Sequence, residues 1–325
     1  MEGYPVTATT LHNSSIVVSA MDESVRVACI QAEPVVLDRG ATIDKLERLA
    51  AEAAGNGAQL LVFPEAFVPA YPSSLWARAL AGWAQPGAKE AFARLARESV
   101  AVPGPDAERI GAAAREHGVW IVTGVTEVDP TRPATLYNTL LYHSPDGTLA
   151  QKHRKLVPTN HERLIWGQGD GRGLRAIETD LGRIGGLICW ENYMPLARFS
   201  LYESGVEIYI ASTADDSEAW QATLVHIARE SRAFVVAPSH FQRAAAYPDD
   251  FPLRELIAGT DVIGRGGSAI LDPAGGYLAG PLYDEEGILY ADLDPARLWE
   301  ERQRFDPAGH YHRPDVLKLS VIDAS

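Results

Sequence analysis

Gly182-Arg183-Ile184-Gly185-Gly186-Leu187-Ile188-Cys189-Trp190-Glu191-Asn192 is the stretch that decides the reading of this chain. The apolar run Ile184–Ile188 predicts a buried strand, ended by a cysteine and a polar turn. Pro195 then opens a helical pattern (Leu196, Phe199, Leu201, Tyr202) closed by Gly205. A thiol at the C-terminal end of a buried strand, facing a helix N-terminus, stands where a reactive cysteine is expected. Helix N-termini and nearby cations lower a thiol's pKa. Position alone leaves open a small buried core residue instead.

Outward from this stretch, strands alternate with helices and then meander. Val25–Gln31 and Gln59–Phe63 read as strands, the second apolar on both faces, as in a sheet covered on both sides. Thr42–Ala54 reads as a helix closed by Gly55 and Gly57, and Asp106–His117 as one stopped by Gly118. Residues 73–100 carry helical pattern with several tryptophans, and Val119–Val125 is a strand. Leu136–His143 and Thr148–Lys152 form a hairpin around Ser144-Pro145-Asp146-Gly147. Residues 157–180 are loop-rich. Val206–Ser212 and Phe234–Pro238 are strands flanking a helix over Ser217–Glu230, with Trp220, Leu224, Ile227 and Ala228 inward. His226 reads as a core histidine of that helix. Residues 241–260 read as a long polar loop. Gly267–Asp272, Tyr277–Ala279 and Gly287–Leu293 are late strands, and Glu300–Leu319 a charged, irregular arm.

The chain has 325 residues, 46% hydrophobic and 22% charged, with a formal net charge of −14. These values describe an ordinary globular protein, and the acidic balance argues against general nucleic-acid or anionic-membrane binding. Two cysteines, Cys29 and Cys189, make no disulfide framework, and without clustered histidines no zinc site. A cytoplasmic setting is expected. The first 24 residues hold no Lys or Arg and read as a poorly ordered extension. One α/β domain over 25–295 is expected, followed by an arm over 296–325 that makes a subunit contact. Trp299, Phe305 and Tyr311 suit burial against a partner or within the tail itself. No cofactor or metal is expected. Gly167, Gly169, Gly171 and Gly173 lack the preceding strand and following helix of a dinucleotide fingerprint.

Three predicted strands end in chemistry-bearing residues: Glu65 after Pro64, Lys155 within Lys152-His153-Arg154-Lys155, and Cys189. Each alone has a plain structural reading as a solvated carboxylate, a surface cation or a core thiol. Together they make a coherent set. The thiol attacks, the carboxylate takes its proton and later activates water, and the ammonium stabilises developing negative charge.

The motifs around these residues resemble the nitrilase superfamily of carbon–nitrogen hydrolases, and within it the nitrilase branch. They are Phe63-Pro64-Glu65-Ala66-Phe67-Val68-Pro69-Ala70-Tyr71-Pro72, His153-Arg154-Lys155-Leu156-Val157-Pro158-Thr159, Glu162-Arg163 through Trp166-Gly167-Gln168-Gly169-Asp170-Gly171, and Cys189-Trp190-Glu191-Asn192-Tyr193-Met194-Pro195-Leu196. Gly309-His310-Tyr311-His312-Arg313-Pro314-Asp315 in the tail is also branch-like, and the likeness covers roughly residues 25–318.

The resemblance implies a four-layer α-β-β-α sandwich and a Glu65–Lys155–Cys189 triad. It implies a supporting second glutamate at Glu162, whose plain alternative is a brace to Arg163 or Arg154. It also implies a cradle for the substrate nitrogen from the Trp190 backbone N–H and Lys155, with pocket walls at Tyr71 and Trp166. Asn192 departs from the histidine common in cyanide-hydrolysing members. With Thr213-Ala214-Asp215, it leans towards plant-like nitrilases and their bacterial relatives. The implied substrate is a small nitrile, hydrolysed to acid and ammonia with a minor amide product. The implied assembly is a homodimer that extends into spirals. The alternatives are an amidase or carbamoyl hydrolase with the same triad, a cyanide-degrading relative, and a non-catalytic assembly protein.

Overall fold

The computed structural model describes residues 21–322. Two sheets of seven strands each lie face to face. In the first, β1 (Val25–Gln31), β2 (Leu60–Val62), β4 (Trp120–Val128), β5 (Leu136–His143) and β6 (Leu149–Arg154) lie side by side in that order. Short β3 (Val100–Ala101) pairs with the end of β4, and β14 (Gly287–Leu293) pairs antiparallel to β1 along its whole length. The second sheet runs β11 (Phe241–Arg243), β12 (Val262–Leu271), β10 (Phe234–Ala237), β9 (Ile208–Ile210), β8 (Gly182–Gly186), β7 (Ile177–Thr179). There β13 (Tyr277–Tyr283) adds to β12.

Alternation along each strand explains why these runs are apolar throughout. On β1, Val27 and Cys29 join Leu60, Val62, Val122 and Leu140 in a core shared with Ile184, Ile208, Ile210 and Val236 of the other sheet. Ala28 and Ile30 point the opposite way, against Ile43, Leu46 and Ala50 of α1 (Arg39–Gly55) and Ile110 and Ala114 of α4 (Pro105–His117). On the far face of the second sheet, Tyr209 and Val235 meet Leu201 of α5 (Pro195–Glu203) and Trp220, Leu224 and Ile227 of α6 (Glu218–Ser231). Both faces of both sheets are therefore buried, which gives the four layers α-β-β-α.

Several expectations are revised. Residues 241–260 are not a polar loop. They hold β11 and two short 3-10 turns, and they bury Phe241, Tyr247, Phe251, Leu253 and Ile257. Trp76, in α2 (Ser74–Ala77), packs edge-on to Phe251 at 5.4 Å and donates its indole N–H to the Tyr247 hydroxyl at 2.8 Å. These apolar residues follow no helix or strand period, so their burial leaves no pattern in the sequence. The helical pattern over 73–100 resolves into α2, a 3-10 turn and α3 (Ala88–Glu98). His226 is exposed, not core, and lies 3.6 Å from Glu230 one turn on. The arm begins as a helix, α7 (Ala296–Arg304), held to its own chain by the Arg232–Glu301 pair at 2.9 Å and buried Leu298. Beyond it Phe305 stacks on Tyr311 at 4.6 Å, while Tyr311 and Trp299 stay exposed. Most of the expected N-terminal extension, residues 1–20, lies outside the described residues, but Met21 is packed in the inter-sheet core. Among the described residues, no helix is long and apolar enough to cross a membrane.

Candidate active site

Glu65 follows β2, Lys155 follows β6 and Cys189 follows β8, so the two sheets together supply the three groups. The tie between sheets at this end includes the Ser212 hydroxyl, which donates to the Phe63 carbonyl at 3.3 Å. Strand β8 ends three residues before Cys189, which opens a 3-10 turn, Cys189–Tyr193, with a left-handed backbone (φ 52°). This conformation is costly for a residue with a Cβ. It is held by the Cys189 N–H on the Ser212 carbonyl (2.8 Å) and by Asn192 Nδ2 on the Cys189 carbonyl (2.9 Å). Asn192 is itself fixed by the Tyr209 hydroxyl, which donates to its Oδ1 at 2.7 Å.

Lys155 is fully buried, and its Nζ donates to Glu65 Oε1 at 2.9 Å and to Glu162 Oε2 at 2.7 Å. Glu162 therefore does not brace an arginine: Arg154 pairs with Glu127 and Arg163 donates to the Pro158 carbonyl. Glu162 also accepts the Tyr71 hydroxyl at 2.7 Å and the Thr159 N–H at 2.6 Å. Asn138 Nδ2 donates to Glu65 Oε1 at 2.7 Å, which leaves Glu65 Oε2 buried without a partner. Gly124 makes room for the backbone that carries Glu65, since a Cβ there would lie 2.2 Å from the Pro64 carbonyl oxygen and 2.8 Å from Glu65 Cα.

The electrostatics follow from burial. Burial raises the Glu65 carboxyl to about 7, against the pull of Lys155. Such a group suits a base working near neutrality. Burial opposes the Lys155 charge, but Glu65, Cys189 and Glu162 outweigh it and hold the ammonium more firmly than usual. Burial, then the Glu65 charge, pushes the Cys189 thiol up to about 12. The lowered thiol pKa expected from a helix N-terminus is therefore reversed. In a desolvated site beside two carboxylates, the resting sulfur keeps its proton.

The remaining expected residues divide. Tyr71 is boxed by Trp166 (5.8 Å between ring centroids), His240 (5.5 Å) and His161 (6.1 Å). Trp166 is buried in the same cluster. The Trp190 ring is half exposed and donates its indole N–H to Asp215 at 2.7 Å. Sequence reasoning gave no role to Asn138, Thr213, His240 or Glu191. The Thr213 hydroxyl lies 3.2 Å from Cys189 Sγ, and His240 is buried with Nε2 unpartnered. Glu191 ties the Cys189 turn to the Lys155 strand by accepting from Ile188 N, Leu156 N and His153 Nε2. The available signal was Asn138 and Glu191 themselves, polar residues inside otherwise apolar patterns.

A model of the carbon-nitrogen hydrolase family matches residues 26–303. The chain belongs to this family. Within this hydrolase family it falls in the nitrilase branch. It is 45% identical over 296 residues to an aliphatic nitrilase of Sinorhizobium fredii, covering 91% of this chain and 95% of that protein. It is 44% identical over 307 residues to a bifunctional nitrilase/nitrile hydratase of Lupinus angustifolius, covering 92% and 86%. Among solved structures, a carbon-nitrogen hydrolase from Helicobacter pylori superposes with a TM-score of 0.69 at 21% identity, over 91% of this chain and 99% of that one. A nitrilase-superfamily member from Saccharomyces cerevisiae gives 0.68 at 21%, again over 91% and 99%. These structures share the fold of this hydrolase.

Proposed function

We propose that the chain is a nitrilase that converts an organic nitrile to its carboxylic acid and ammonia, with Cys189 as nucleophile, Glu65 as base and Lys155 as electrophilic partner. The observation that carries this reading is the buried Glu65–Lys155–Glu162 array, whose charges act directly on the Cys189 thiol. Glu65 takes the thiol proton as sulfur attacks the nitrile carbon. One C–N π bond becomes a nitrogen lone pair, held by Lys155 Nζ and the Trp190 backbone N–H, and the proton returned from Glu65 completes a thioimidate. Water activated by Glu65 adds to form a tetrahedral intermediate. Loss of ammonia leaves a thioester, which a second water hydrolyses to the acid. Because the thiol of the resting site is protonated, proton removal accompanies attack and no standing thiolate is needed.

Glu162 holds Lys155 in place and keeps two carboxylates around one ammonium. Tyr71 and Trp166 wall the pocket. If sulfur leaves the tetrahedral intermediate first, the product is the amide. The lupin relative's name, a bifunctional nitrilase/nitrile hydratase, supports this branch. Two free cysteines support a cytoplasmic protein. Exposed Trp299 and Tyr311 support an arm that contacts a second subunit of a homo-oligomer.

The test is a stoichiometry. Incubation with 3-phenylpropionitrile and with a small aliphatic dinitrile, followed by assay of ammonia, acid and amide together, is expected to give ammonia matching acid with little amide. Ammonia from the corresponding amides but none from either nitrile would move the activity to the amidases. A Cys189→Ala variant that keeps full turnover would remove the nucleophile assignment.

A further inference from the structure

We propose that Thr213 is a catalytic residue, whose hydroxyl donates a hydrogen bond to the Cys189 sulfur as negative charge develops there, and that Asp215 and Trp190 aim this donation. The inference rests on the reading of Cys189 as nucleophile. Thr213 Oγ1 lies 3.2 Å from Cys189 Sγ, and both residues are buried. It is the one side-chain donor hydrogen-bonded to that sulfur among the described residues. A hydroxyl has one proton and two lone pairs. The Asp215 N–H donates to Oγ1 at 2.9 Å and occupies a lone pair, leaving the proton for sulfur. The Thr213 backbone is held on both sides, its N–H on the Pro238 carbonyl (3.1 Å) and its carbonyl accepting from His240 N (2.9 Å). Asp215 is fixed in turn, Oδ1 accepting the Ser217 N–H at 2.9 Å and Oδ2 the Trp190 indole at 2.7 Å. A path of three hydrogen bonds thus runs from a half-exposed ring to the reacting sulfur.

The chemistry gives this donor a purpose. The Glu65 charge opposes a thiolate, and Lys155 is already engaged by two carboxylates. A neutral donor at sulfur stabilises charge as the proton leaves, without adding a cation that would compete for Glu65. No proton passes from Thr213. The same bond favours sulfur as a leaving group. When the tetrahedral intermediate expels it, the C–S pair goes to sulfur, the carbinol proton reaches that sulfur through Glu65, and the amide is released. Thr213 therefore quickens both attack and the amide branch, while loss of ammonia gains nothing from it.

The experiment follows Cys189 carboxamidomethylation by iodoacetamide in the full-length protein across pH, located by peptide mass to separate it from Cys29. Thr213→Val, which removes the hydroxyl at nearly constant volume, is expected to slow alkylation about tenfold at a fixed pH below the midpoint, as for loss of one hydrogen bond to a charged group. Thr213→Ser should restore the rate, and the amide share of product should fall in the valine variant. Trp190→Phe should shift the profile in the same direction by less. An unchanged alkylation profile in Thr213→Val overturns the role of the hydroxyl, and an unchanged profile in Trp190→Phe overturns the link to the indole. If the valine variant does not fold, Thr213→Ala carries the same measurement. Alkylation needs no turnover, so it reads Thr213 even where the nitrilase assignment fails.

Discussion

Replacing Glu191 by glutamine should uncouple the nucleophile turn from the lysine strand, at a cost that the geometry sets. Glu191 is wholly buried and uses both oxygens. Oε2 accepts from Ile188 N and His153 Nε2 at 2.9 Å each, and Oε1 from Leu156 N at 2.8 Å. Ile188 precedes Cys189 and Leu156 follows Lys155, so one carboxylate spaces these two residues. Burial opposes its charge, yet His153 and the backbone donors hold its carboxyl below the ordinary value. An ionised carboxylate only accepts, and three donors suit it. A glutamine must turn its NH2 towards at least one of them. It then loses one charge-assisted bond and leaves a buried donor facing a donor, which together amount to about 3–5 kcal/mol. Against a total stability of roughly 5–15 kcal/mol, this is large but survivable. Urea unfolding at one protein concentration should show the midpoint fall accordingly, with kcat reduced in the fraction still folded. A Glu191→Gln variant within about 1 kcal/mol of the parent, with unchanged kcat, would show that this carboxylate does not hold the Cys189 turn against the Lys155 strand.

Lys155→Met should abolish turnover and destabilise the fold by about 3–5 kcal/mol, because Glu65 and Glu162 lose their shared cation inside the protein. Without the ammonium, the Glu65 carboxyl, already held up by burial, rises further above its unfolded value, so the penalty stands at neutral pH and eases on acidification. Melting temperatures of variant and parent should converge as pH falls. Two buried histidines set an acid limit on the parent: burial lowers both His143 and His240 from 6.5 to about 4. Between these values the unfolded chain binds protons that the folded chain refuses. Stability present above pH 6.5 is therefore lost as pH falls towards 4, by about 3 kcal/mol for each histidine. Unfolding midpoints measured across that window should fall on acidification, and a flat profile would contradict the burial of these rings as neutral groups.

Much of the framework is legible in the chain itself. The strands Val25–Gln31 and Leu136–His143 fall where the residue pattern puts them, because each packs apolar side chains on two faces. Helix stops at Gly118 and Gly205 are readable for a local reason, a positive φ that glycine adopts at no steric cost. Glu65, Lys155 and Cys189 stand out through motifs that each span ten residues or fewer. What escaped had no local signature. Phe251 and Ile257 are buried in a cluster with Trp76, which is far away in sequence. His226 looked internal because its helical neighbours are apolar, yet it lies just outside the inward stripe.

The alternation of strands and helices, the apolar faces and the chemistry-bearing residues Glu65, Lys155 and Cys189 can all be read along the chain, since these depend on residue type and short spacing. The protonation state in which those groups rest depends on the assembled fold. Lys155 meets Glu65 and Glu162 across 90 and 7 positions, and Thr213 meets Cys189 across 24. The sign of the thiol shift came from this assembly: desolvation and the Glu65 charge outweigh the lysine and reverse what a helix N-terminus alone would give. Protonation depends on every charge and on the water excluded around a group, and neither is a property of its neighbours in sequence.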